Sequence, residues 1–506
     1  MILGIDLGTT YCAVATLDDT GRARVLVNRS GALTMPSVVS FLGPDEIVVG
    51  DLARERRALD PDNTVSLIKR QMGHDYPLEF HGVSHTPESI SALLLRALVD
   101  DAAAALGAPR GEPMRAVVTV PAYFGLRERE ATQQAARLAG IEVLELVAEP
   151  VAAALHYGVV DSTERTILVY DLGGGTFDCT VLRCVGGSAD VLATDGDSYL
   201  GGANVDERLG GLLLDRLADQ LPADVDDPRD DDILVQEVLS LAEIAKRSLA
   251  DKQQHGLTLR HAGHVVRIDV DRDMVEDSSR DLVQRTMVII ERLLDVVGDV
   301  LIEQVMLVGG SSRLPAVAVG LADRLGRAPL LADPELAVAL GAAVRAGSLA
   351  PGRAATVKHA VAVLPRGVGI LVRDSHDSRG LREFVQHLIP ANTPLPAEVT
   401  APFATILNRQ PSVRIQVYEQ AGAVASEDLA HNRRVLDGEF TGLPDLPAGS
   451  RVDVTLTVGL DGRVSVTANE VRKHTELRLE AYVEGVVDEA VAERLAATTS
   501  AMVIRS

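Results

Sequence analysis

ILVYDLGGGTFDCTVL, residues 167–182, is the stretch whose reading decides the fold. Ile167 to Tyr170 reads as a buried strand, and Asp171 followed by Gly173, Gly174 and Gly175 reads as a tight turn. Glycine admits positive φ and lets backbone N–H groups approach a phosphate with no Cβ in the way. Phe177 to Val181 then alternates apolar and polar residues like a second strand, so the phosphate cradle is predicted to be a β-hairpin. That separates it from the GxGxxG and GxxxxGK[ST] loops, which feed a helix, and the second of these also needs a Lys that is absent here. Residues 2–12, ILGIDLGTTYC, repeat the design, with Asp6-Leu7-Gly8 matching Asp171-Leu172-Gly173. Two such hairpins predict two related halves closing on one nucleotide.

At 506 residues the chain has room for two or three domains, each with its own core. Asp and Glu number 72 against 49 Lys and Arg, a net charge of −23 that opposes nonspecific binding to nucleic acid or an anionic membrane. The three cysteines, Cys12, Cys179 and Cys184, have no metal-type spacing. They read as small buried thiols in a reduced, cytoplasmic protein. No run approaches the roughly 18 apolar residues of a membrane helix. A cleaved signal peptide is not expected, because cleavage would remove Asp6.

Outward from the first hairpin, VSLIKRQMGHD (65–75) sets Lys69 among Val65, Leu67 and Ile68, where its stem can cross apolar surroundings or simply lie on the surface. Residues 87–106 have helical spacing with Pro87 in the first turn and a packing side of Leu93, Leu94 and Leu98. AVVTVPAYF (116–124) reads as a buried strand stopped by Pro121, followed by a helix carrying Arg127 and Arg129. In AEPVAAALHYG (148–158), Glu149 precedes a helix-starting Pro150, which holds its carboxylate at a rigid junction. Gly201 and Gly202 precede another helix, and residues 222–232, with six Asp and one Arg, read as an exposed acidic loop. On the predicted helix 233–249, Glu243 pairs with Lys246 at i, i+3 or Arg247 at i, i+4, an arrangement that suits a surface ion pair as well as a ligand. VMLVGGSSRLP (305–315) is strand, Gly309-Gly310 turn and helix start, and Arg313 is suited to stacking on a flat base. Residues 347–358 mark a linker. Beyond about 360 short alternating runs, with Asp461-Gly462 as a hairpin turn, predict an antiparallel β-sandwich and then a short helix.

With IDLGTT, VPAYF, EPVAAA, YDLGGGTFD and LVGGSSR assembled in order, the chain resembles the heat-shock protein 70 family over nearly its whole length. The β-rich region after these motifs separates it from actins and sugar kinases of the same ATPase fold. The absence of Trp, the 3% aromatic content and several substitutions mark a divergent bacterial member. The resemblance implies an α/β, actin-like two-lobed ATPase domain over 1–350. It further implies a linker over 351–364, a β-sandwich substrate-binding domain over 365–485 and a helical remnant of a lid over 486–506. ATP or ADP, Mg²⁺ and, as a further candidate, K⁺ are the implied cofactors. Gly8, Thr9, Thr10, Gly173, Gly174, Gly175 and Thr176 would cradle the β- and γ-phosphates. Lys69 would stabilise charge on the γ-phosphoryl group, while Glu149 and Asp171 would position water and hydrated Mg²⁺, with Asp6 and Asp178 in the same ion cluster. Gly202, Glu243, Lys246, Gly309, Gly310 and Arg313 would form the nucleoside side, and Pro121 and Arg129 the interdomain signalling pair.

The departures modify these expectations. Ala250 replaces an adenine-contacting Ser, and Gly202-Ala203-Asn204-Val205 replaces an acidic loop. Glu145 and Ala148 stand where J-protein-responsive members carry a basic residue and Asn, which predicts weakened attraction to a J-protein. KHAVAVLP (358–365) is smaller than the family's Leu-rich linker and predicts less buried apolar area and weaker coupling. Arg373, Asp374, Asp377, Arg379, Arg382 and Glu383 charge a groove region that is usually apolar. Residues 488–506, at about 1.5 Å per residue, reach at most roughly 28 Å, too short for a long lid. The leading expectation is an ATP-hydrolysing chaperone that binds polypeptide clients and accepts a nucleotide exchange factor. The alternative is a nucleotide-gated scaffold for one dedicated folded partner. A small-molecule kinase would need an acceptor site that the sequence does not offer.

Overall fold

The computed structural model describes residues 2–108, 114–158, 163–186, 188–331, 333–350, 361–373, 382–422, 424–441, 443, 445–460, 462–470, 475–480 and 489–505. Within them the chain is mixed α/β, with several sheets and ten α-helices.

The two glycine hairpins seed two sheets of the same design. Ile2–Leu7 pairs antiparallel with Tyr11–Leu17, which pairs with Ala23–Val25, while on its other side Ile2–Leu7 runs parallel to Met114–Val120 and that strand to Ile141–Ala148. Arg165–Leu172 repeats this: Phe177–Val185 and Ser188–Asp197 follow antiparallel on one side, Gln304–Val308 and Leu330–Leu331 parallel on the other. The match in strand order and direction gives the sequence repeat its physical meaning, since each hairpin starts a sheet and puts its glycine turn at the same end. Two helices, Glu149–His156 and Ala337–Ser348, pack between the sheets. They touch at Gly341, where a Cβ would fall inside the Ala152 carbonyl.

The helix expected at 87–106 spans Pro87–Leu106, with Thr86 accepting from the Ser89 N–H at 3.3 Å and Leu93, Leu94 and Leu98 buried. The helix expected at 233–249 spans Asp232–Leu249, capped by Asp231. Cys12, Cys179 and Cys184 are free and buried.

From Val363 on the chain turns to β structure. Two four-stranded antiparallel sheets form, one ordered Glu383–Ile389, Val368–Arg373, Ser412–Gln420 and Asn432–Thr441. The other is ordered Ala397–Ala404, Arg451–Val458, Val464–Glu470 and Thr475–Glu480. They share a core of Ile370, Ile415, Val417, Leu436, Leu456 and Val466. Leu126, the first residue of helix Leu126–Leu138 in the first α/β unit, also lies in this core and is 3% exposed. The β-rich region thus sits directly on the first unit.

On the second unit, the Val191 N–H donates to Val361 O at 3.0 Å, the Thr194 N–H to Asn392 Oδ1 at 2.9 Å, and Val363 is buried in the core that the two inner helices share. The small side chains expected to weaken linker docking are therefore accompanied by backbone hydrogen bonds; residues 351–360 lie outside the described residues. So do Asp374, Asp377, Arg379 and Asp461. Of the groove charges that are described, Arg373 pairs with Glu383 at 2.9 Å, and Arg382 lies over the Phe384 ring.

The C-terminal segment differs from the expectation of a helix alone. Helix Glu489–Ala501 is followed by a strand, Val503–Arg505, and both lie on the first α/β unit.

Candidate nucleotide-binding cleft

A cleft of about 620 Å³ opens between the two α/β units. Asp6, Gly8, Thr9, Thr10, Lys69, Glu149, Asp171, Gly173, Gly174, Thr176, Glu243, Lys246, Gly309, Gly310 and Arg313 all line it. Gly175, Gly202 and Asp178 sit behind the wall. At Gly174 and Gly175 a Cβ would collide with Thr10 and Thr9, so the two glycine turns interlock and only glycine permits that approach. Pro121 and Arg129 do not line the cleft, and Arg129 lies near Glu419 of the β-rich region.

Lys69 is buried, 5% exposed, and its Nζ lies 2.7 Å from Glu149 Oε1. Its inward position depends on Leu67, which takes a left-handed backbone (φ 58) just before the short turn Ile68–Gln71. That conformation costs a non-glycine residue about 1–2 kcal/mol. The surface alternative for Lys69 is thereby excluded. Glu149 takes its place from the junction foreseen, following Ala148 as the first residue of a Pro150-started helix.

Around this pair lie three more carboxylates. Burial, then repulsion from Glu149, raises Asp6 from 3.8 to about 7, and the same two causes raise Asp178 to about 7. Asp171 is raised as well, by burial and then by Glu149, Asp178 and Asp6. Four acids face one lysine, an excess of negative charge that a divalent cation would relieve. Among the described residues no three His, Cys, Asp or Glu side chains converge as a direct metal-ligand set. The excess of negative charge at Asp6, Asp171 and Asp178 is what fits a cation.

At the other end of the cleft, Lys246 does not pair with Glu243. Its Nζ binds Asp206 Oδ2 at 2.7 Å and Gly202 O at 3.0 Å. Glu243 keeps its i, i+4 partner Arg247 at 3.8 Å and accepts from the Tyr11 hydroxyl at 3.0 Å, and that hydroxyl accepts from Arg54 and Arg247, each at 2.7 Å. Tyr11 and Arg54 belong to the first unit and Glu243 and Arg247 to the second, so the contact bridges the mouth. Arg70 bridges deeper, donating to Gly175 O at 2.8 Å and to Asn204 Oδ1 at 2.9 Å. Asn204 thus gives Arg70 a partner across the cleft. Arg313 stays 43% exposed, 3.9 Å from Glu335.

The sequence reading missed Tyr11, Arg54, Arg70 and Asp206. Only Asp206 left a local signal, an acid four residues into a helix opening on a glycine pair. Glu145, read as a charge reversal where a basic residue is usual, is paired with Arg345 at 2.9 Å.

Behind the cleft, Asp178 accepts from the Tyr123 N–H at 3.0 Å, and the Tyr123 ring carries the Arg366 guanidinium 4.7 Å from its centroid. Arg366, 4% exposed, pairs with Glu128 at 2.8 Å, and Arg433 pairs with the same oxygen at 3.3 Å. The Leu126 N–H donates to Glu419 Oε1 at 2.9 Å, in space left by the missing Cβ of Gly125. Arg129 donates to Phe124 O at 3.0 Å, and the charge of Glu419 supports its buried cation.

Protein-family models match the chain to "Hsp70 protein" over residues 2–80 and 77–503. The chain belongs to the Hsp70 family. Among curated relatives it is 36% identical to the chaperone protein DnaK of Thermotoga petrophila, over 93% of this chain and 78% of that one. It is 35% identical to the chaperone protein DnaK of Deinococcus radiodurans, over 97% and 81%. It is also 35% identical to that of Thermosipho africanus, over 93% and 78%. It is therefore a divergent bacterial DnaK-like member of a family of ATP-binding chaperones. No helix among the described residues is long and apolar enough to cross a membrane.

Proposed function

We propose that this Hsp70 member hydrolyses ATP in the cleft and uses that hydrolysis to control polypeptide binding by its β-rich domain. The observation that carries the reading is the buried Lys69–Glu149 pair, set among Asp6, Asp171 and Asp178 beside two interlocked glycine turns. In this reading the turn N–H groups, Thr9, Thr10 and the Thr176 hydroxyl hold the phosphates. Lys69 Nζ offsets charge developing on the γ-phosphoryl oxygens, and the Glu149 carboxylate both orients Lys69 and holds the attacking water. Asp6, Asp171 and Asp178 would hold hydrated Mg²⁺, which when bound neutralises phosphate charge. Lys246, Asp206, Glu243, Gly310 and Arg313 enclose the nucleoside end.

Residues 1–350 act as the ATPase domain, 351–364 as the linker and 365–485 as the client-binding domain. Asp178, Tyr123, Arg366 and Glu128 form an unbroken line of contacts from the ion cluster to the β-rich domain, with Pro121 and Arg129 in the same segment. We assign interdomain signalling to this line.

Lys69→Ala tests the proposal. Removing one preorganised donor costs about 10²–10³ in rate, so single-turnover hydrolysis should fall by that factor while ATP still binds. Unchanged turnover would defeat the assignment.

A further inference from the structure

We infer that the C-terminal segment is an edge strand and clasp of the ATPase domain's first lobe, not a mobile cover for the β-rich domain. The segment LAATTSAMVIR (495–505) carries the pattern for both contacts. Leu495, Thr499 and Met502 fall at i, i+4 and i+7 along one face, and all three are buried. From Met502 the chain changes to period two: Met502 in, Val503 out at 56% exposed, Ile504 partly in, Arg505 out.

The first lobe offers a matching surface. Leu495 packs against Ala92 of helix Pro87–Leu106 and Leu138 of helix Leu126–Leu138, and Met502 enters the lobe's own core. Arg96 donates to the carbonyls of Thr499 and Met502, holding the end of helix Glu489–Ala501. Val503–Arg505 then pairs parallel with Glu46–Val49, an edge that already pairs antiparallel with Val38–Gly43 on its other side. The Val503 N–H donates to Asp45 O at 2.8 Å, and Arg505 pairs with Glu46. Without this strand, Glu46–Val49 would present unpaired backbone groups to any extended chain. The occupant is the chain's own tail, fixed by backbone pairing, a buried Met and two charged contacts.

The consequence is a β-rich domain attached at both ends. One end meets the second lobe at Val361–Val363 and the other is clasped to the first lobe. Nine peptide steps separate Glu480 from Glu489, and an extended chain covers at most about 3.5 Å per step. Strand Thr475–Glu480 is therefore leashed within about 30 Å of the clasp whatever the cleft holds.

Hydrogen exchange on the full chain tests this, followed on peptides covering 46–49 and 493–505 in nucleotide-free, ADP and ATP conditions. Both peptides should exchange as slowly as strand Val38–Gly43 in all three, and the nucleotide-free arm keeps the test separate from the ATPase reading. Fast exchange of 493–505 in any condition overturns the inference. A second arm uses Arg96→Ala, which should speed exchange in 46–49 and 493–505 together while leaving Ile2–Leu7 unchanged. No acceleration at 493–505, or acceleration across the whole lobe, also overturns it.

Discussion

Two buried charge clusters lie in contact along this chain, and their balance differs. In the cleft Asp6, Glu149, Asp171 and Asp178 face the single cation Lys69. At the β-rich interface Glu128 and Glu419 face Arg366, Arg433 and Arg129. Burying a charge is tolerable only when it is matched. The cleft thus carries an excess of buried negative charge, whereas at the interface both buried carboxylates have guanidinium charge beside them. One cluster is built to take a ligand, the other to hold two parts of the same chain together. Tyr123 touches both, through Asp178 on one side and Arg366 on the other.

The comparison breaks most readily at Arg366. Arg366→Ala takes from buried Glu128 its partner at 2.8 Å, and removing one partner of such a pair costs about 3–5 kcal/mol. The docked arrangement should open, seen as an increased radius of gyration and faster hydrogen exchange at Leu126 and Glu419, while the thermal transition of the ATPase domain stays in place. An unchanged radius would show that the charge match does not hold the domains.

The cleft should respond to pH in a way that sharpens its need for a cation. Asp6 and Asp178 bind a proton more tightly folded (about 7) than unfolded (3.8), so each favours the nucleotide-free fold below pH 3.8. That contribution is lost as pH rises toward 7. Asp6→Asn should therefore stabilise the nucleotide-free protein by about 1–3 kcal/mol at pH 8. The gain should shrink steadily below pH 7 in denaturant unfolding. A gain independent of pH would mean that buried charge is not its source.

How much of this the sequence displays depends on how local each cluster is. The cleft's glycines and acids lie in short motifs whose turn chemistry is readable residue by residue, and Glu149 announces itself by preceding Pro150. Lys69 was ambiguous because its burial depends on the left-handed Leu67, which no local rule predicts. The interface pairs join Glu128 to Arg366 across 238 positions and Leu126 to Glu419 across 293, and only the docked domains bring them together. The tail strand is three residues long, below the length at which alternation is distinctive, and its partner lies at Glu46–Val49. Lys246 shows the opposite failure: helical spacing offers it Glu243 but Asp206 takes it, while Glu243 keeps its i, i+4 partner Arg247 at 3.8 Å and adds Tyr11.

The smallest effect is expected at the mouth. Tyr11→Phe removes a hydroxyl shared by Glu243, Arg54 and Arg247, a loss of about 1 kcal/mol, or roughly five-fold faster ADP release by stopped flow. No change would assign that contact to structure alone.

The central claim is that the cleft, with its unbalanced buried charge, governs the charged domain interface and, through it, the client. Steady-state ATP hydrolysis by the full chain, with and without an unfolded polypeptide, tests it most directly. The account predicts stimulation by the polypeptide, and its loss in Arg366→Ala with basal hydrolysis retained. Basal hydrolysis that no polypeptide stimulates would contradict it.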